Sequence, residues 1–127
     1  MATGMSAYLA NSLLNALGNN TAYAVTNVYV KLHVGDPGAA GTSNAATETT
    51  RKAVSFAGAS AGSIASDADV TWTNISGSQD ATFFTAWDSI DAGSFLFSGT
   101  ITGNPYTAGD TYTISSGSFV TSLTVAS

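Results

Sequence analysis

Apolar and polar residues alternate along most of this chain in short runs. Val28, Val30 and Leu32 interleave with Tyr29, Lys31 and His33, the period of a strand with one buried face. Similar runs follow at Arg51 to Phe56, at Val70 and Trp72 towards Ile75, and at Thr82 to Trp87. Ser94 to Ile101 sets Phe95, Phe97, Gly99 and Ile101 against Leu96 and Ser98. Tyr112 and Ile114 give another strand, and Phe119, Thr121, Leu123 and Val125 the last. Trp72, the largest apolar side chain in its run, is expected at the centre of the core.

One early stretch has a different period. Leu9, Leu13 and Leu17 recur at helical spacing with Leu14 beside them, Ser6 is placed to cap the start, and Gly18 to stop the end. The spacing predicts a helix over residues 6 to 17 whose stripe, widened by Tyr8 and Leu14, docks on a sheet or contacts another subunit.

Strands this short, separated by Gly, Asp, Asn and Ser at intervals of about 8 to 15 residues, predict an all-β antiparallel sandwich, jelly-roll or immunoglobulin-like. We expect about 6 to 8 strands and a single domain over residues 1–127, with the sandwich at about 22–126 behind the helix. The AGASAGS run after Phe56 reads as a small-residue connector. No heptad or solenoid repeat is present.

The sharpest break falls at Gly35-Asp36-Pro37-Gly38, where Pro37 fixes its own φ and favours an extended Asp36, while the glycines permit positive φ. The following AAGTSNAATETT, residues 39 to 50, holds almost nothing to bury. Residues 35 to 50 are therefore expected to form an extended surface loop thrown outward from the end of a core strand.

Composition narrows the function classes. Only 9% of the 127 residues are charged, against about 25% in an ordinary domain. The net charge is -5, and Lys31, Arg51 and Lys52 are the only cations. That leaves no basic stripe for nucleic acid. The N-terminal stretch has no cationic start and is interrupted by Asn11, Ser12 and Asn15, so it reads as neither signal peptide nor membrane span, and synthesis in the cytoplasm is expected. There are no cysteines, hence no disulfide framework or thiolate metal site.

Candidate chemistry is thin. His33 with Asp36 and Ser43 invites comparison with a nucleophilic triad, yet no G-x-S-x-G elbow accompanies them and no second acid is forced near His33. Asp67 with Asp69, and Asp88 with Asp91, offer hard oxygen ligands for Ca²⁺, but no D-x-D-x-D-G loop with a distal Glu exists. Phosphate-binding glycine loops are absent. No catalytic residue, cofactor or metal is expected. Phe83, Phe84, Trp87, Phe95 and Phe97 could line a carbohydrate-binding face, although alternation sends one set from each strand inward. Arg51 and Lys52, the only adjacent cations, either mark a strand edge or form a contact patch.

The order of several segments carries a resemblance: SAYLANSLLNALGN, VKLHVGDPGAAGTSNAATETTRKAVSF, TWTN at Trp72, WDS at Trp87, AGSFLFSGTI and AGDTYTISSGSF. Together they resemble a family of small virion proteins of tailed bacteriophages, known variously as capsid decoration, head fibre, minor tail or tail fibre proteins. The resemblance implies assembly into the virion and no enzymatic role. Its first expectation is a decoration protein that binds the major capsid protein and copies of itself, as a trimer or dimer. The alternatives are a tail or tail-fibre protein with tail partners, and a carbohydrate-binding module. No nucleic-acid or membrane partner is expected. The expected contact residues are Gly35, Asp36, Pro37, Gly38, Thr42, Ser43, Asn44, Arg51 and Lys52.

Overall fold

A computed structural model describes residues 3–126. The chain is antiparallel β throughout apart from one helix, α1 (Ala7–Gly18). The strands are β1 (Val28–His33), β2 (Lys52–Val54), β3 (Ser63–Ala65), β4 (Val70–Trp72), β5 (Phe83–Trp87), β6 (Phe95–Thr100), β7 (Tyr112–Ile114) and β8 (Val120–Ser122). A four-stranded sheet of order β2-β1-β5-β6 forms one layer. Two separate ribbons, β3-β8 and β4-β7, supply the facing elements, giving a sandwich-like all-β fold whose second layer is split.

The register explains the core. Val30 lies opposite Ala86 and Leu32 opposite Phe84 across β1 and β5, while Ala86 faces Phe97 across β5 and β6. Val30, Leu32, Phe84 and Ala86 are fully buried. Phe119, from the approach to β8, meets Phe84 edge to face with centroids 4.8 Å apart, and Phe97 meets Phe84 at 5.9 Å. Such pairs add about 0.5–1.5 kcal/mol each beyond simple burial. Trp72 is in this cluster as expected, and its indole N–H donates to the Thr50 carbonyl at 2.9 Å.

The N-terminal segment closes an edge. Ser6 N–H donates to the Leu96 carbonyl, Ser98 N–H donates to the Gly4 carbonyl, and Met5 pairs with Phe97, so residues 4 to 6 run along β6 and cover an edge that would otherwise be open. Ser6 then starts the helix, its hydroxyl accepting from Leu9 N–H at 3.1 Å. Leu9 is buried, whereas Leu17, two turns on, is 84% exposed. The helix is anchored by its first turn and overhangs the domain at its last.

Three sequence expectations need correction in detail. The AGASAGS connector ends in a strand, Ser63–Ala65, which pairs with β8 through backbone bonds and carries a single large apolar residue, Ile64, too little to show a strand period. In β6, Leu96, Phe97 and Ser98 are all buried, because residues 4 to 6 pair along the strand and α1 and β8 pack against it. The last strand ends at Ser122, leaving Leu123 and Val125 more than half exposed.

Candidate functional site

The segment expected to project outward instead folds back along β1. Val34 N–H donates to the Asn44 carbonyl at 2.9 Å, Ala46 N–H donates to the Leu32 carbonyl at 3.1 Å, and His33 bridges to Ala45. Pro37, Gly41, Ala46 and Glu48 are buried. Gly41, at φ +72, lies so close to Phe95 that a Cβ there would meet the ring at 2.7 Å. The sequence suggested an outward loop because it lacks large apolar residues; the burial is achieved by backbone and by small side chains that permit close approach.

The turn itself is built from local bonds. Asp36 Oδ1 accepts from Gly38 N–H at 2.9 Å, and the Pro37 carbonyl accepts from Ser43 N–H at 2.9 Å. Asn44 Nδ2 donates to the Asp36 carbonyl at 2.9 Å, and Gly35 lies against the Asn44 side chain. Of the expected contact residues, Thr42, Ser43 and Asn44 are exposed on the arm that returns to β1; Gly35, Asp36 and Gly38 are half-buried on the outgoing arm, and Pro37 is buried. A shallow groove of about 350 Å³ separates Gly38 and Ala39 from Thr3–Ala7, with Phe95 and Ser98 in its wall.

His33 fastens this loop to the sheet. It is fully buried at the end of β1, with Nδ1 2.8 Å from the Ser43 carbonyl oxygen and Nε2 2.9 Å from Thr85 Oγ1. Trp87 Nε1–H donates to the same Thr85 oxygen at 2.8 Å. A carbonyl oxygen only accepts, so Nδ1 carries the proton, and Thr85 accepts from Trp87 while donating to Nε2. Every group in the chain Trp87, Thr85, His33, Ser43 is satisfied by a neutral imidazole. Burial lowers the imidazole pKa below its usual 6.5, Lys31 adds to the depression, and the Ser43 and Asn44 backbone contacts oppose it. Ser43 offers His33 its carbonyl, and Asp36 is spent on Gly38, so the three do not form a triad.

Arg51 is held inward. Its Nη1 donates to the Ser89 carbonyl at 2.8 Å and the Ala92 carbonyl at 2.7 Å, and the guanidinium lies 4.2 Å from the Trp87 ring centre. This is a staple between the end of the loop and the β5-β6 turn, made of charge-assisted bonds and a cation over an aromatic face. The adjacent Lys52 is half-buried in β2, opposite Val30. Glu48 is a second staple: Oε1 accepts from Ser76 N–H at 2.9 Å and Oε2 from Thr50 N–H at 3.1 Å. Burial alone would raise its pKa, but these donors outweigh it and hold the carboxyl below its usual range.

Four of the six remaining carboxylates are tied to nearby backbone or hydroxyl groups. Asp69 Oδ1 accepts from Ser116 N–H, Asp88 Oδ1 from Ser94 N–H and Asp110 Oδ2 from Thr107 N–H, while Asp67 is bonded to Ser55 Oγ. Among the described residues no three His, Asp or Glu side chains are grouped as a metal site. Phe84, Trp87 and Phe97 are buried and Phe83 and Phe95 half-buried, so these five aromatics fill the interior rather than forming an open stacking face. The sequence reading missed the connections made by Thr85, Trp87 and Glu48. Only the position of the lone His33 beside the turn hinted at them.

Fold and site together define a small β module whose surface loop at residues 35 to 50 is held by backbone and staple bonds rather than arranged around reactive groups. The family described as Podophage GP4 fiber I protein gp80 matches residues 4–122, and the chain belongs to that family. It is accordingly a bacteriophage virion structural protein. No curated protein matches the chain. Among the described residues no helix is long and apolar enough to cross a membrane.

Proposed function

We propose that this virion structural protein is a non-enzymatic capsid decoration protein, which docks on the outer surface of the major capsid shell and stabilises it. The observation that carries this reading is the construction of the loop's returning arm. Thr42, Ser43 and Asn44 are exposed, uncharged and polar, while the turn, His33 and buried Gly41 hold the backbone behind them. A contact fixed in advance loses little conformational entropy on docking. A small neutral contact is weak by itself, and repetition over a shell multiplies its hold.

The second reading, a minor tail or tail-fibre protein, draws on the word fiber in the family's description. It would use the same arm against a tail protein or a host surface. Co-sedimentation separates the two: purified protein is mixed with heads lacking it and, separately, with isolated tails. Decoration predicts saturable binding to heads, weakened about tenfold or more by charges on that arm in Thr42→Asp/Ser43→Asp. Binding to tails alone would overturn it.

A further inference from the structure

We propose that the open edge of β8 is a docking site for an extended, uncharged peptide segment of another protein, which adds to the ribbon β3-β8 as its third strand. The backbone of β8 divides its bonding groups by alternation. Leu123 N–H donates to the Gly62 carbonyl and Ser66 N–H to the Phe119 carbonyl, so the bonding groups of Phe119, Thr121 and Leu123 face β3. Val120 and Ser122 turn theirs the other way. Both residues are exposed, and among the described residues nothing hydrogen-bonds to their outward N–H and C=O groups.

The other outer strands each carry a device that blunts such pairing. Residues 4 to 6 cover β6. Residues 55 to 57 run along β3, with Ala57 N–H on the Ala65 carbonyl and Asp67 N–H on the Ser55 carbonyl. Lys52 lies in β2 beside Arg51, and Asp69 and Asp110 bracket the ribbon β4-β7. The sequence from Thr111 onward holds no charge and no proline, and β8 pairs with β3 in regular register, without a bulge. This one edge is left both open and unguarded.

The edge borders a groove of about 490 Å³ whose far wall is the end of β6 with the segment that covers it. Thr3, Ser98, Thr100 and Ser122 bring hydroxyls to the groove, and the Val120 carbonyl stands beside Gly99 within it. No charged side chain lines it, so a charged segment finds no partner there. The alternating row of N–H and C=O groups matches an extended backbone, whereas a neutral glycan meets the hydroxyls but has no amide row to pair in register. Main-chain bonds then supply the hold, and the hydroxyl walls accept small or β-branched side chains. The inference does not depend on where the protein sits in the virion.

Backbone amide NMR of the purified chain, with the peptide acetyl-Thr-Val-Thr-Val-Thr-amide titrated over ~0.05–2 mM, tests it. In the free protein the Val120 and Ser122 amides should exchange with solvent about tenfold or more faster than Thr121, whose N–H faces β3. The peptide should shift these two amides saturably and slow their exchange, leaving Leu14 and Leu17 unmoved. Ser122→Pro removes one outward N–H at the cost of an exposed hydroxyl bond to Ser63, and keeps the backbone bonds to β3. It should raise the dissociation constant about tenfold or more while melting near the parent. The same edge is read without altering the protein by methylating the peptide: one alternate set of nitrogens methylated should preserve binding, both sets should abolish it. Cellopentaose should move neither amide. Equal exchange of Val120, Thr121 and Ser122, or no saturable shift, would overturn the inference. So would full binding by the doubly methylated peptide or by a folded Ser122→Pro, or cellopentaose seated in the groove.

Discussion

Acidification from pH 7 to pH 5 should weaken this fold through a single side chain, His33. Its imidazole is neutral in the folded protein and its pKa lies below the ordinary 6.5. The unfolded chain therefore takes up a proton first as pH falls through about 6.5, so stability is full above that value and declines below it until the folded-state pKa is reached. One proton contributes at most 1.36 kcal/mol per pH unit, which limits the loss to about 2 kcal/mol between pH 7 and pH 5. Glu48, whose pKa is lowered, acts in a different window: its contribution is complete above the unfolded carboxylate value and is lost only as pH falls further. Since His33 is the only histidine, side-chain titration between pH 5 and 7 falls to it. Urea unfolding followed by tryptophan fluorescence, repeated across this range, should show the midpoint falling by up to roughly 1 M with an unchanged slope against urea. His33→Asn keeps an amide donor for the Ser43 carbonyl and loses the Thr85 bond. It should cost about 1–3 kcal/mol at pH 7 and flatten the dependence between pH 5 and 7. A parent protein equally stable at pH 7 and 5, or a variant that keeps the full pH dependence, would refute the network as described.

Other outcomes follow from the staples around the loop. Arg51→Lys keeps the charge but loses the planar stack on Trp87 and one of two carbonyl bonds, and should lower stability by about 1–2 kcal/mol in chemical denaturation. Gly41→Ala forces a Cβ into the Phe95 ring at a positive φ, so it should cost about 2–4 kcal/mol and raise amide exchange over residues 35 to 46. Glu48→Gln removes charge from two backbone donors and should destabilise by about 1–3 kcal/mol at pH 7, with the difference from the parent shrinking as Glu48 itself protonates in acid.

What could be read from the sequence was what large side chains write into it. The alternation at Val28 to His33 located β1 to the residue, and Ser6 with the leucine spacing located α1 to within a residue at each end. Trp72 was correctly placed in the core. The strand Ser63–Ala65 is hard to see in the sequence because Ile64 is its one large apolar residue, flanked by serine and alanine, so no alternation marks it and its pairing with β8 is carried by backbone. The 35 to 50 segment is a surface loop, but its return along β1 is hidden from the sequence for a related reason: Gly41 and Ala46 bury themselves by closeness, not by apolar bulk. At the candidate site, the sharp turn and the exposed Thr42, Ser43 and Asn44 were legible. The inward commitment of Arg51 was not, because its partners are backbone carbonyls of Ser89 and Ala92, some forty residues away.

Decoration of the head, as proposed, is decided by a symmetric reconstruction of the intact virion with the fold fitted into its density. Copies repeated over the outer shell, with Thr42 to Asn44 against the major capsid protein, are expected. Density confined to the tail, with a bare shell, would contradict it.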